Sequence, residues 1–334
     1  MIKKPTRSVG VQIFRGIIIA LGLLIIVFVF LIPARSHVPN TVVIYAAQDQ
    51  VYAEPILHEF EKETGIKVKA VYDSEAVKTV GLANRLLAER SHPQCDVFWG
   101  NEEMRTRQLA AQNVFRETNG WAAFGYRSRR IVSNTNFVGR AELPLGQDAQ
   151  QRVPTAPSSL LELTNEIWRG KVALAFPQFG TTATHFHALR QLWGEAAWLA
   201  WCRALAANKP FVVDGNSMVV KFVGRGEAWI GLTDSDDVFA GQREGAPVTM
   251  LPINEEQLLI PNTVGVIRNA PHSANAQKLL EYLQQRKVAE KLVAANALED
   301  TTYKTNATAL NPDWDALLRE LETTTKQLNE IFLR

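Results

Sequence analysis

Residues 41–72 read TVVIYAAQDQVYAEPILHEFEKETGIKVKAVY, and their pattern decides the fold class. Thr41–Ala46 is an apolar, β-branched run, as a strand buried on both faces requires. Ile56, Leu57 and Phe60 then share one helical face, with Pro55 near the expected first turn and Gly65 as the stop. Ile66–Tyr72 alternates, which is the period of a second strand. Strand, helix and strand with short connections form a unit of parallel sheet.

The same alternation continues towards the C-terminus. Ser74 can cap a helix carrying Val77, Val80, Ala83 and Leu87, and Asp96–Trp99 reads as a short strand before a helix over about 102–112. Further strands are expected at Lys171–Phe176, Phe211–Val213, Ala228–Leu232 and Val264–Ile267. Helices are expected from Gly180, from Asn216 and from Ser235 or Asp236, and several more reach the C-terminus. The class is α/β, without internal repeats or low-complexity tracts.

Charge separates the N-terminus from the body. Residues 1–38 hold Lys3, Lys4, Arg7, Arg15 and Arg35 and no acid, which leaves 31 basic against 34 acidic residues beyond them. A body of that sign offers no electrostatic footprint for nucleic acid. Gly16–Ala34 is a run of 19 uncharged, mostly apolar residues. As a helix it would span roughly 28 Å, close to one hydrocarbon core. Basic residues before it would keep the N-terminus inside and export the rest. Its length favours a retained anchor, while Ala34-Arg35-Ser36 offers small residues for a signal-peptide cleavage, so both fates stay open. The two cysteines, Cys95 at the opening of an expected strand and Cys202 in a tryptophan-rich expected helix, read as packed thiols.

In open α/β sheets ligands bind beyond the carboxyl ends of strands, at helix N-termini. That rule selects Ala47-Gln48-Asp49, Asp73-Ser74-Glu75, Gly100-Asn101-Glu102, Gly180-Thr181-Thr182, Gly215-Asn216-Ser217 and Thr233-Asp234-Ser235-Asp236. Each is also what an ordinary helix cap looks like. Gly180-Thr181-Thr182 is the best anion candidate, because unpaired N–H groups and two hydroxyls converge there. Arg127 and Arg129 could balance the anion by bidentate contact, or could decorate a solvated strand edge.

Enzyme signatures are thin. His185 and His187 diverge on a helix and cannot easily share a metal. Gly224-Arg225-Gly226 lacks the third glycine of a dinucleotide loop, and no Gly-x-Ser-x-Gly occurs. Trp193, Trp198 and Trp201 read as packing. No catalytic residue is assigned, and no cofactor is expected.

The segments VVIYAAQDQ (42–50), FEKETGIKV (60–68), DVFWGNEE (96–103), YRSRRIVSNT (126–135), LTDSDDVF (232–239) and APHSANAQKLLEYL (270–283) carry a resemblance. The chain resembles the ferric-ion-type, iron(III)/anion solute-binding proteins of ABC importers. The resemblance implies a two-lobed periplasmic-binding-protein-like (type 2) fold with a ligand cleft that closes by hinge motion. Lobe one would be 40–133 plus 264–334, and lobe two 134–263, after an N-terminal hydrophobic helix. The implied partner is a membrane permease, and the implied form a monomer in the periplasm or elsewhere outside the cytoplasm.

Iron-binding members hold the metal with a His after the first strand, a carboxylate after the third, and a Tyr-Tyr pair. The matching positions here are Asp49, Asn101 or Glu102, and Ser235-Asp236, so the tyrosines are missing. Asp49, Glu102, Asp234 and Asp236 could still surround a hard cation. The anion half of the family site corresponds to Gly180-Thr181-Thr182 and Asn216-Ser217, with Arg127 matching an assisting arginine. The resulting expectation is capture of an oxyanion-bearing solute such as a phosphate ester or phosphonate. Its ligand set is Gln48, Asp49, Ser74, Asn101, Glu102, Arg127, Thr181, Thr182, Asn216, Asp234, Ser235 and Asp236. Ferric iron or a metal chelate is the alternative, and a sensing ectodomain for a signalling partner is the alternative of another class.

Overall fold

Val42, Ile44 and Ala46 on one face of the first strand and Tyr45 on the other are all buried, so this strand runs inside a sheet covered on both sides. A computed structural model describes residues 40–73, 78–117, 120–138, 155–303 and 309–333. The apolar segment 16–34 and Ser74 lie outside the described residues. Among the described residues no helix is long and apolar enough to cross a membrane.

The first half of the chain gives β1 (Thr41–Ala46), α1 (Gln50–Thr64), β2 (Lys67–Val71), α2 (Lys78–Ala88), β3 (Val97–Gly100), α3 (Glu103–Ala111) and β4 (Trp121–Asn134). Then come β5 (Val172–Ala175), α4 (Gly180–Trp193), α5 (Glu195–Ala207), β6 (Phe211–Val213), α6 (Asn216–Gly224), β7 (Ile230–Asp234), α7 (Ser235–Arg243), β8 (Val248–Leu251) and β9 (Leu259–Val266). Three helices follow, α8 (Ser273–Leu283), α9 (Arg286–Ala294) and α10 (Trp314–Phe332). Gly65 ends α1 in the left-handed conformation at φ 69°, as a glycine stop should. Pro55 lies in the second turn of α1, one turn later than the sequence suggested, because the helix already starts at Gln50.

The strands form one nine-stranded sheet in the order β2-β1-β3-β9-β4-β7-β5-β6, with β8 also paired to β4. Its two ends are parallel, β2-β1-β3 and β7-β5-β6, while β9 and β4 run antiparallel between them. β4 pairs with β9 up to Ser128 and with β7 from Arg129, so this one strand passes from one end of the sheet to the other. A bulge interrupts it at Gly125, where φ is +55° and a Cβ would lie 2.7 Å from the carbonyl oxygen of Asp300. Tyr126–Arg130 is therefore central strand and not a solvated edge: Arg127 is 3% exposed and Arg129 0%.

Each end of the sheet has its own apolar packing on both faces. Ile44, Phe60, Trp99 and Leu279 pack on one face of the first end, and Tyr45, Leu82, Leu86 and Phe98 on the other. At the second end Leu174, Phe186, Trp198 and Leu232 face one way, and Ala173, Val219, Val223 and Val238 the other. The last helix serves both: Leu321 packs with Met104 and Ala183, while Leu328 joins the second core. Cys95 and Cys202 are buried free thiols.

Candidate functional site

The cleft is built from strand ends and the helix starts that follow them. Asp49 follows β1, Asn101 follows β3, and Asp234 closes β7. Thr181 and Thr182 open α4, Asn216 opens α6, and Asp236 lies in the first turn of α7. All seven line one cavity of about 520 Å³, counting its solvent-open mouth, together with Arg127 from the crossing strand β4.

At the floor Arg129 and Asp234 sit opposite each other in the β4–β7 register. The Arg129 guanidinium donates to Asp234 at 2.7 Å and to Asn216 Oδ1 at 3.1 Å. Thr181 gives its hydroxyl proton to Asp234 at 2.8 Å and accepts from Asn216 at 3.0 Å. Thr182 donates to Asn216 Oδ1 at 3.3 Å. The side-chain hydroxyl of Thr181 is thus committed to the floor, and what α4 can still offer the cleft is its N-terminal backbone. No side chain caps that end, and Gly180 stands there at φ +55°, a conformation that favours glycine although a Cβ would meet nothing within 4 Å.

Above the floor Arg127 Nε lies 3.3 Å from both Asp234 and Asp236. Burial would lower its pKa, but the carboxylates of Asp236, Asp234, Asp49 and Asp237 overcome this and raise it. Burial pushes the Asp234 carboxyl up, and the two arginines outweigh that and hold it below its usual value. One nitrogen, Arg127 Nη1, is buried and has no hydrogen-bond partner among the described residues. His185 backs the floor as a neutral ring: Nε2 donates to the Glu256 carbonyl at 2.6 Å and Nδ1 accepts from Arg129 at 3.4 Å. Burial first, then Arg129, takes its pKa down to about 3.

Three expected ligands among the described residues do not line this cavity. Glu102 is fully buried, caps α3 by accepting from Arg105 N at 2.9 Å, and accepts from the Thr184 hydroxyl at 2.9 Å. Burial raises its carboxyl pKa. Ser235 accepts from the Ser128 amide at 3.3 Å, and Gln48 is buried with its Oε1 unpartnered among the described residues. Conversely, Phe176, Phe179, Asp214 and Asp237 line the cavity without having been singled out. Asp214 follows β6 directly, so the strand-end rule would have reached it one residue earlier than Gly215. The phenylalanines carried no such signal: Phe176 closed the expected strand Lys171–Phe176, and an aromatic at a strand end does not by itself mark a cleft.

The lining therefore holds five aspartates against Arg127, with Arg129 behind. Carboxylate oxygens of Asp234, Asp236 and Asp237 lie within 4.8 Å of one another. Such a group can accept from a cation, an ammonium or hydroxyls, while Arg127 and the α4 terminus can donate to an oxyanion.

Residues 41–295 match the bacterial extracellular solute-binding proteins. The chain belongs to that family. Its fold agrees: the iron-bound HitA of Pseudomonas aeruginosa superposes with a TM-score of 0.72 at 18% identity, covering 87% of this chain and 99% of HitA. Among named relatives, the Fe(3+)-binding periplasmic protein of Serratia marcescens is 28% identical over 77% of this chain and 78% of its own length. A periplasmic protein of Salmonella paratyphi A, whose name proposes 2-aminoethylphosphonate as its ligand, is 25% identical over 77% and 80%. This solute-binding protein thus shares an α/β periplasmic-binding-protein-like architecture and an extracytoplasmic, transport-linked class with relatives that differ in ligand.

Proposed function

We propose that this solute-binding protein captures a small organic solute bearing an oxyanion, a phosphate ester or phosphonate, and presents it to an ABC permease. The observation that carries the reading is Arg127 Nη1, a buried cationic donor in the cleft wall with no partner among the described residues. A buried donor left unmade is costly, so a ligand acceptor there is favoured. The uncapped start of α4 lines the same cavity and favours negative charge. Asp214, Asp236 and Asp237 would then accept from hydroxyl or amino groups of the same molecule.

The cleft would lie between two lobes, 40–133 plus 264–334 on one side and 134–263 on the other. The crossing strands β4 and β9 would be the hinge. Residues 16–34 would tether the protein near its permease.

Ferric iron is the second reading, favoured by the Asp234, Asp236 and Asp237 oxygens and by the name of the Serratia relative. Against it, no tyrosine among the described residues lines the cavity, and Arg127 sits among those carboxylates. A thermal-shift panel tests both, with phosphate, phosphonates, hexose phosphates, and Fe³⁺ with citrate or carbonate. A ligand at 100-fold its Kd stabilises by roughly 2.7 kcal/mol. A shift with oxyanions supports the proposal, and a shift with Fe³⁺ alone overturns it.

A further inference from the structure

The loop between β5 and α4 reads Phe176-Pro177-Gln178-Phe179. Its two aromatic rings lie edge to face, with centroids 6.4 Å apart and planes at 67°. Both rings line the cleft and remain half-buried, and neither joins any of the apolar clusters found among the described residues. Gln178 between them turns the other way, buried and donating to the Leu328 carbonyl at 3.4 Å. The loop therefore anchors itself through its polar residue and offers its aromatic ones to the cavity, the reverse of the usual arrangement.

Phe179 also occupies the N-cap of α4. Ser, Thr, Asp or Asn would stabilise the helix there, and phenylalanine does not. The substitution leaves the first-turn amides uncapped by any side chain and puts an aromatic face immediately beside them. An anion seated on those amides would lead its substituent out past Phe179 and Phe176.

From this we infer that Phe176 and Phe179 form a subsite for the carbon skeleton of the solute, so that the cleft selects an organic oxyanion over inorganic phosphate. The inference rests on the oxyanion reading above. A bare ion would leave two rings wet among five aspartates, whereas a carbon chain removes their apolar surface from water. Covering roughly 60 Å² of carbon surface corresponds to about tenfold in affinity.

Isothermal titration of the full-length protein with inorganic phosphate, alkyl- and aminoalkylphosphonates and hexose phosphates tests it, using wild type, F176A, F179A and F179L. The expected result is that at least one organic ligand binds wild type about tenfold or more tighter than phosphate. F176A and F179A should lose most of that preference, organic ligands weakening about tenfold and phosphate far less, and F179L should retain part of it. Equal affinity for phosphate and every organic ligand, or a preference untouched in both alanine variants, overturns the subsite while leaving the oxyanion reading in place. An equal loss of phosphate and organic binding in the variants also overturns it, since the rings would then only shape the loop. Wild type that binds none of these ligands overturns both readings at once.

Discussion

Arg129 and Asp234 face each other across β4 and β7 as a 2.7 Å ion pair, with the guanidinium wholly buried. Opposite register explains the contact, because directly paired residues of antiparallel strands bring their side chains together on one face. Thr181 and Asn216 fasten onto the same carboxylate, so the helix starts of α4 and α6 are held by the strand pair beneath them. The floor of the cleft is a hydrogen-bonded platform, and Arg127 is the arginine left to face the cavity.

Removing the carboxylate should expose that dependence. D234N leaves Arg129 buried without its counter-charge, and the loss of one partner of such a pair costs about 3–5 kcal/mol. Urea denaturation of wild type and variant measures it. A loss below about 1 kcal/mol would mean that the pair is not what fixes the floor.

Arg127 has a different signature. R127A should weaken oxyanion binding by about 2 kcal/mol, roughly thirtyfold, through loss of a charge-assisted donor. It also leaves Asp234, Asp236 and Asp237 without the guanidinium among them, so affinity for a hard cation such as Ca²⁺ should rise. Titration with both ligands checks the two directions together. Unchanged oxyanion affinity would remove Arg127 from the binding account.

Glu102 separates a cap from a ligand. Its carboxylate serves the start of α3 and the Thr184 hydroxyl, outside the cavity lining. E102A should therefore lower stability by about 1–2 kcal/mol while solute affinity at saturation of folding stays within about threefold. A large affinity loss in a variant of normal stability would return Glu102 to the ligand set.

Acid should destabilise the fold through its buried histidines. Burial, with Arg129 beside His185 and with Arg105 and Arg190 beside His187, holds both rings at about 3. An unfolded histidine titrates near 6.5, so between these values the unfolded chain binds protons that the folded one does not. Stability present at neutral pH is thus lost as pH falls from about 6.5 towards 3. Glu102 and Glu256, whose carboxyls burial raises, act with the opposite sign at the acid end. Comparing wild type with H187L cancels them: the variant's stability should fall less steeply between pH 7 and 5, by up to about 1 kcal/mol per pH unit. Both ring nitrogens of His187 are buried without partners among the described residues, so leucine leaves no polar group unsatisfied. Parallel slopes would contradict the assignment.

Much of the scaffold could be read locally. Thr41–Ala46, the helix ending at Gly65 and the polar strand-ends all follow from short-range pattern, and the strand-end rule led to Asp49, Asn101, Thr181, Asn216 and Asp234. What escaped depended on distant partners. Tyr126–Arg130 looked like a strand that could be wet, because its arginines are buried only once Asp234 and Asp236 arrive from another element more than a hundred residues later. Glu102 looked like a ligand because a carboxylate at a helix start is both a cap and a candidate, and only Thr184 on α4 decides which. Phe176 closed the expected strand Lys171–Phe176 and Phe179 fell in the connection after it, with no local sign that either ring faces a cleft.

The central claim is that the cleft binds an organic oxyanion through Arg127. Its most direct test is isothermal titration of full-length wild type and R127A with phosphonates and phosphate esters, beside Fe³⁺-citrate. The account predicts saturable one-to-one binding of at least one oxyanion to wild type, a loss of roughly thirtyfold in R127A, and no saturable binding of iron. Saturable binding of iron alone, undiminished by R127A, would contradict it.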